Sequence, residues 1–504
     1  MEFEFSLGRD AVGRRLEEQP FRILVLGNFS GHAAGAAAQK PLAERRIAAV
    51  DFERLDGLWD LFSPGLQLEL GGTSISFSPR DLDDFHPDHL YQVLPVFEKL
   101  RATRKALLDP KTAQQTLDEL MTSGTVQTKA AGAAQDGNAE QIVGQTSGED
   151  AGDMFERLLG KSSSSRDKPT APPPNEPRFE GFIRQLVAPH IVDDADPRVE
   201  TAVDSIDLAT SELMRGLLHH PDFQALEATW RSLHEMVARI ELDETLQLFA
   251  CNVRRDELLI ALPEPGANLA DSALFELLVK RREARDDAPW AVIVDDDRFG
   301  HSGEDIALLT ALGAAAAANG GIFLGAASPA ILGCERIEDL PDTRNWSRPP
   351  HDSLWNALRK SDIADRIGLA LPRVLARLPY GQTEPVDRFE FEEMPHHDHA
   401  AYLWANPAFS CATLLAEGFT REGWRMAPGS HVELGALPAH TFEADGETHL
   451  KPCTEVLIPE ATMVAILERG LMPLVSYRDR NTAVVGRFQS IASPAAPLNG
   501  PWAR

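Results

Sequence analysis

The sequence predicts a mixed α/β (α+β) protein: a small α/β head joined by a flexible linker to a larger α/β body. Three observations predict it. A compact apolar run lies at Phe21–Leu26, a stretch poor in apolar residues spans about 121–180, and strand-like and helix-like patterns alternate from about 246 onward. Strands separated by crossover helices imply a parallel or mixed sheet covered on both faces. The predicted divisions are residues 1–120, 121–180 and 181–504.

In the head, Phe3-Glu4-Phe5 alternates, and Phe21-Arg22-Ile23-Leu24-Val25-Leu26, closed by Gly27-Asn28, reads as a buried strand running into a turn. Leu66-Gln67-Leu68-Glu69-Leu70 alternates apolar and polar, and Gly71-Gly72 turns it into Ser74-Ile75-Ser76-Phe77, a hairpin with one wet face. Asp81 to Leu108 reads as helical, punctuated by Pro87 and Pro95.

Residues 121–180 are dominated by Ala, Gly, Ser, Thr, Gln and Pro and end in Ser162–Ser165 and Pro172–Pro174. Too little apolar surface is available there to offset the entropy of ordering. One island, Asp153 to Gly160, places Phe155, Leu158 and Leu159 at i, i+3 and i+4, a short amphipathic helix with a glycine stop.

The body opens with helix, break, helix: Leu213, Leu217 and Leu218 share a face, His220-Pro221 interrupts, and Phe223, Leu226, Trp230, Leu233 and Val237 resume the spacing. Strands are expected at Leu246–Val253, Ala291–Val294 and Ile322–Gly325, with an Ala-rich helix at Glu304–Ala318. Further strands are expected near Glu455–Ile458, Pro473–Tyr477 and Ala483–Val485.

With 49 Lys+Arg against 77 Asp+Glu, the net charge of −28 repels phosphate backbones, which argues against nucleic acid and anionic membranes as partners. Four scattered cysteines fit neither a zinc clip nor a disulfide framework, and read as buried thiols in a reducing compartment. An acidic N-terminus and the lack of any apolar run of about 18 residues point to the cytoplasm without membrane insertion.

Candidate chemistry is sparse. Asp295-Asp296-Asp297 closes an apolar strand, where clustered carboxylates would hold Mg²⁺ or cap the next helix in an Asp-rich turn. His396-His397-Asp398-His399 would let His396 and His399 share a metal on one helical turn. A metal-dependent hydrolase built on either cluster is the alternative function. Gly27-Asn28-Phe29-Ser30-Gly31-His32 follows a strand but lacks the spacing and Lys of a phosphate loop, so it reads as a structural turn. Tyr402, Trp404 and Phe409 read as core or subunit interface. The residues assemble no catalytic, metal or cofactor site, and a non-enzymatic protein without cofactor is expected.

Several longer motifs carry a family resemblance. His219 to Leu233 (HHPDFQALEATWRSL), Phe299 to Asp305, Ala327-Ser328-Pro329, Leu371 to Gly381 (LPRVLARLPYG), Tyr402 to Asn406 and Lys451 to Glu455 occur in order between about 181 and 492. This set resembles the large subunit of the type VI secretion contractile sheath. Phe21 to Gly31 separately resembles the opening strand and turn of the small sheath subunit. The chain thus looks like a small-subunit head fused to a large-subunit body, and a tether raises the effective concentration of the pair.

The resemblance implies a structural or accessory role through protein–protein assembly, with other sheath or baseplate proteins as partners. Family large subunits continue well past the segment resembling Phe488-Gln489-Ser490, so the body is expected to lack the family's C-terminal portion. The resemblance also implies that an AAA+ unfoldase grips the helix bearing Phe155, Leu158 and Leu159.

Overall fold

The computed structural model describes residues 19–33, 35–36, 40–120, 198–264, 266–347, 353–395, 398–444, 446–478 and 480–502. The predicted linker, with Phe155, Leu158 and Leu159, lies outside the described residues, as do Phe3-Glu4-Phe5 and His396 and His397.

The strands in chain order are β1 (Phe21–Gly27), β2 (Ile47–Val50), β3 (Leu66–Leu70), β4 (Thr73–Phe77), β5 (Leu246–Asn252), β6 (Trp290–Phe299), β7 (Ile322–Ala327), β8 (Ile367–Leu371), β9 (Val374–Leu375), β10 (Trp404–Ala405), β11 (Glu433–Leu434), β12 (His440–Ala444), β13 (Glu447–Lys451), β14 (Met472–Tyr477) and β15 (Arg480–Val485). Nine of them form one sheet in the order β11-β15-β14-β8-β7-β6-β1-β5-β2. The interior run from β14 to β5 is parallel, while β2, β15 and β11 are antiparallel additions at the two edges. A parallel or mixed sheet is what the sequence predicts, but not its composition: the head's strand β1 lies between two body strands, Ile23 opposite Leu248 on one side and Val292 on the other.

The side chains of β1 explain that position. All seven of its residues are buried, as a strand covered on both faces requires. Phe21, Ile23 and Val25 point into one apolar cluster, and Leu24 and Leu26 into another on the opposite face. The first cluster is covered by helices α4 (Arg198–Leu218), α5 (Pro221–Arg239) and α8 (Pro407–Glu422), the second by α7 (Gly303–Ala318).

Apart from β2 and the turn at Leu42, the rest of the head caps the first face. Strands β3 and β4 form the expected hairpin, with a buried–exposed alternation along β3 and Gly71 and Gly72 both at positive φ, the conformation of a two-residue primed turn. Helix α1 (Leu55–Phe62) precedes it. The helical stretch that follows is divided at its prolines: Pro87 begins α2 (Pro87–Val93), Pro95 begins a 3₁₀ turn, and α3 (Glu98–Leu108) continues. Pro221 begins α5 in the same way, so the predicted helix, break, helix stands.

Two expectations are corrected. No strand forms at 455–458: only Thr454 makes an isolated bridge, to Val374, because Pro452 and Pro459 bracket the segment and Glu455 turns into an ionic cluster. The three aspartates do not make a turn either. β6 runs through them to Phe299, and the next helix is capped by Ser302, whose hydroxyl accepts from the Asp305 amide at 3.1 Å.

Candidate functional site: the head–body seam and the cleft beside it

The site is assembled on α5. Its N-cap His220 accepts the Asp222 amide through Nδ1, and Phe223, Leu226, Trp230 and Leu233 then turn one apolar stripe inward. Trp230 is the centre of the seam. Its indole stacks on Trp59 of the head with ring centroids 3.6 Å apart, meets Phe29 edge-on at 5.4 Å, and donates Nε1–H to the Phe29 carbonyl at 2.9 Å.

Polar contacts fix the register around that apolar centre. Arg45 of the head reaches Glu257 of α6 (Arg255–Ile260) at 2.6 Å, and both are buried or nearly so. Arg104 on α3 grips Asp207 on α4 with two hydrogen bonds, 2.6 and 3.0 Å. Asp88 at the start of α2 accepts the amides of Asp387 and Arg388.

Behind α5 lies an ionic network whose centre, Arg377 with Glu227 and Glu393, is buried. Arg377 donates Nε–H to Glu227 at 2.7 Å and both terminal nitrogens to Glu393 at 2.7 and 3.0 Å. Arg231 pairs with the same Glu227, and the Tyr380 amide donates to Glu393. Burial alone would raise the Glu393 carboxyl, yet the Arg377 guanidinium, with His219 3.7 Å away, holds it down at about 2.

The carboxyl ends of β1, β5, β6, β7 and β8 open on a cleft of ≈ 390 Å³, bordered by the loop after β1 and the first turns of α5 and α6. It brings together two sequence candidates, Gly27–His32 and Asp295–Asp297, with Trp404 at its rim. Asp295 is 2% exposed; its Oδ1 accepts the Asp297 amide at 2.8 Å and its Oδ2 has no partner. Burial pushes Asp295 well above the usual carboxylate range and Asp296 up to about 7, and raises Asp297 against the pull of Arg255. Among the described residues no group of three or more His, Cys, Asp or Glu is placed to hold a metal.

The other candidates go elsewhere. His399 stacks on Trp404 and lies 3.5 Å from Glu455, within a cluster completed by Arg373 and Lys451. Tyr402 and Phe409 are core residues, as expected. All four cysteines are buried free thiols, with burial pushing Cys251 and Cys411 up to about 12. Sequence patterning missed the ionic network, although a signal existed: Glu227 falls on the buried stripe of α5, one turn from Phe223, where a carboxylate needs a buried partner.

Comparison with known proteins follows the same division. Residues 200–492 match the family described as EvpB/VC_A0108, tail sheath N-terminal domain, and residues 11–123 match the family described as Type VI secretion system, VipA, VC_A0107 or Hcp2. Over 316 residues the chain is 33% identical to the type VI secretion system sheath protein TssC1 of Pseudomonas aeruginosa. That alignment covers 60% of this chain and 64% of the relative, so the chain spans just under two thirds of the relative's length.

Proposed function

The chain belongs to the tail sheath N-terminal domain family, and from that premise we propose that it is a structural or accessory component of a type VI secretion apparatus, acting by protein–protein assembly and not by catalysis. One observation carries the proposal: segments that match two different sheath families meet in a single sheet, with β1 hydrogen-bonded to β5 and β6. On this reading residues 1–120 serve as the small-subunit unit, 181–504 as the large-subunit unit, and 121–180 as their tether, all in the cytoplasm. The absence of a helix long and apolar enough to cross a membrane among the described residues is compatible with that placement. The partners would be other sheath or baseplate proteins.

The test is electron microscopy of the purified chain, alone and mixed with separate sheath subunits, beside a native pull-down from cells carrying the secretion cluster. Rings or tubes, or discrete particles bound to sheath or baseplate proteins, are the expected results. A monomer that recovers neither class of protein would overturn the proposal.

We further propose that the segment carrying Phe155, Leu158 and Leu159 is the grip for an AAA+ unfoldase. Deleting 153–160 should then abolish co-purification of the unfoldase while leaving assembly intact. Unchanged unfoldase binding would remove the idea.

A further inference from the structure

The cleft beside the seam owes its chemistry to an irregularity in the backbone of β6. In a regular strand successive side chains alternate between the two faces. Here the pairing of β6 with β7 slips between Val294 and Arg298, which stand opposite Leu324 and Ala326, so that Asp295–Asp297 lies in a bulge. All three aspartates line the cleft. Asn406 holds the bulge by donating Nδ2–H to the carbonyls of Asp295 and Asp297, each at 3.3 Å.

The three carboxyls are not equally satisfied. Asp297 lies 3.7 Å from Arg255, and Asp296 accepts the Thr229 hydroxyl. Asp295 is 2% exposed, uses Oδ1 for the Asp297 amide, and leaves Oδ2 without a hydrogen-bond partner. A buried oxygen left this way is unfavourable, and a donor entering the cleft relieves it.

The arginines along the cleft are directed to other acids. Arg254 donates to both oxygens of Asp256, Arg255 is shared with Asp305, and Arg373 is held by Glu455. Arg298 is exposed and also borders a second, smaller recess with Arg373 and Glu455. Asp222 at the start of α5 adds a further negative charge, 64% exposed, and His32 comes from the loop after β1.

The rest of the lining is of another kind. Ala225, Leu226 and Ala228 of α5 contribute apolar surface, as do Val253 and Leu258. At ≈ 390 Å³ the cleft falls at the small end of ligand pockets, which run from about 300 to about 1,000 Å³. Because the head supplies the loop after β1, this lining is complete only when β1 is seated between β5 and β6.

We propose that the cleft binds an organic cation, a guanidinium or primary ammonium group on an apolar stem, with its charged end at Asp295 and its stem along Ala225 and Leu226. An arginine or lysine side chain of a protein partner carries such a group, and so do free alkyl amines and guanidines. The guanidinium is the better match, since its planar fork of donors pairs with a carboxylate through two hydrogen bonds.

Ligand-detected NMR titration of the full chain tests it. The probes are Nα-acetyl-arginine amide, Nα-acetyl-lysine amide, agmatine and putrescine, with Nα-acetyl-citrulline amide as the neutral isostere of arginine. The cations should bind saturably, and the citrulline compound about tenfold more weakly or worse, the change that losing a charged hydrogen bond gives. Binding of the capped amino acids assigns the cleft to a basic side chain of a partner, whereas binding of agmatine or putrescine alone assigns it to a free amine. Two variants separate charge from space. Asp295→Asn, which keeps an oxygen for the Asp297 amide, should weaken binding about tenfold or more. Ala225→Phe, at an exposed position of α5, should block the stem without touching the carboxyls. No saturable binding of any cation, equal binding of the citrulline compound, or unchanged affinity in either variant would overturn the assignment.

Discussion

Replacing Arg377 with alanine is expected to be the most damaging single change in the body, costing about 3–5 kcal/mol. The guanidinium is the shared cation of Glu227, which is completely buried, and Glu393, which is 2% exposed. Removing it leaves two carboxylates in a dry interior with only Arg231 and His219 beside them. The measurement is urea unfolding, where the midpoint should collapse or soluble protein be lost. A control separates uncompensated charge from lost packing: adding Glu227→Gln and Glu393→Gln to Arg377→Met should recover much of the loss, because replacing a whole buried ion group by neutral residues is often tolerated. A single Arg377→Ala variant as stable as the parent would show that the network contributes nothing.

Trp230→Ala is expected to cost about 3–5 kcal/mol as a large-to-small core change, and to act on the seam in particular. The indole is 1% exposed, stacks on Trp59, abuts Phe29 and holds the Phe29 carbonyl, so truncation removes an aromatic tie between head and body. With a protease site inserted between 121 and 180, head and body of the parent should co-elute after cleavage, and those of Trp230→Ala should separate. Trp59→Ala should do the same, and the double variant should cost less than the sum of the two, since both remove one stacked pair. Co-elution of the cleaved variant would place the tie in β1 pairing instead.

Much of this fold was legible because its signals are local. The β3–β4 hairpin declares itself through alternation and two adjacent glycines, and the start of α5 through His220-Pro221. Strand β1 was legible as a strand but not as an interior member of the body's sheet, because its pairing partners lie far along the chain and an apolar run is compatible with any covered position. The site was less legible. Asp295–Asp297 drew attention as a cluster, but how deeply such carboxyls are buried depends on elements from elsewhere in the chain that pack around the end of β6. The Arg377 network joins residues 150 positions apart, and only the misfit of Glu227 on an apolar stripe hinted at it.

The central placement of β1 bears on how the chain is made. Phe21 leaves the ribosome long before Leu246 and Trp290, the starts of the two strands that must flank it. At translation rates of roughly 5–20 residues per second, the head waits on the order of ten seconds or more for its neighbours. During that interval a seven-residue apolar strand has both hydrogen-bonding edges open, the condition that invites pairing with foreign chains. Contacts of such long sequence separation also form slowly once their partners exist. Nascent-chain quality control therefore has a defined window in this protein, and the first of the described strands to be synthesised is among the last to find its place.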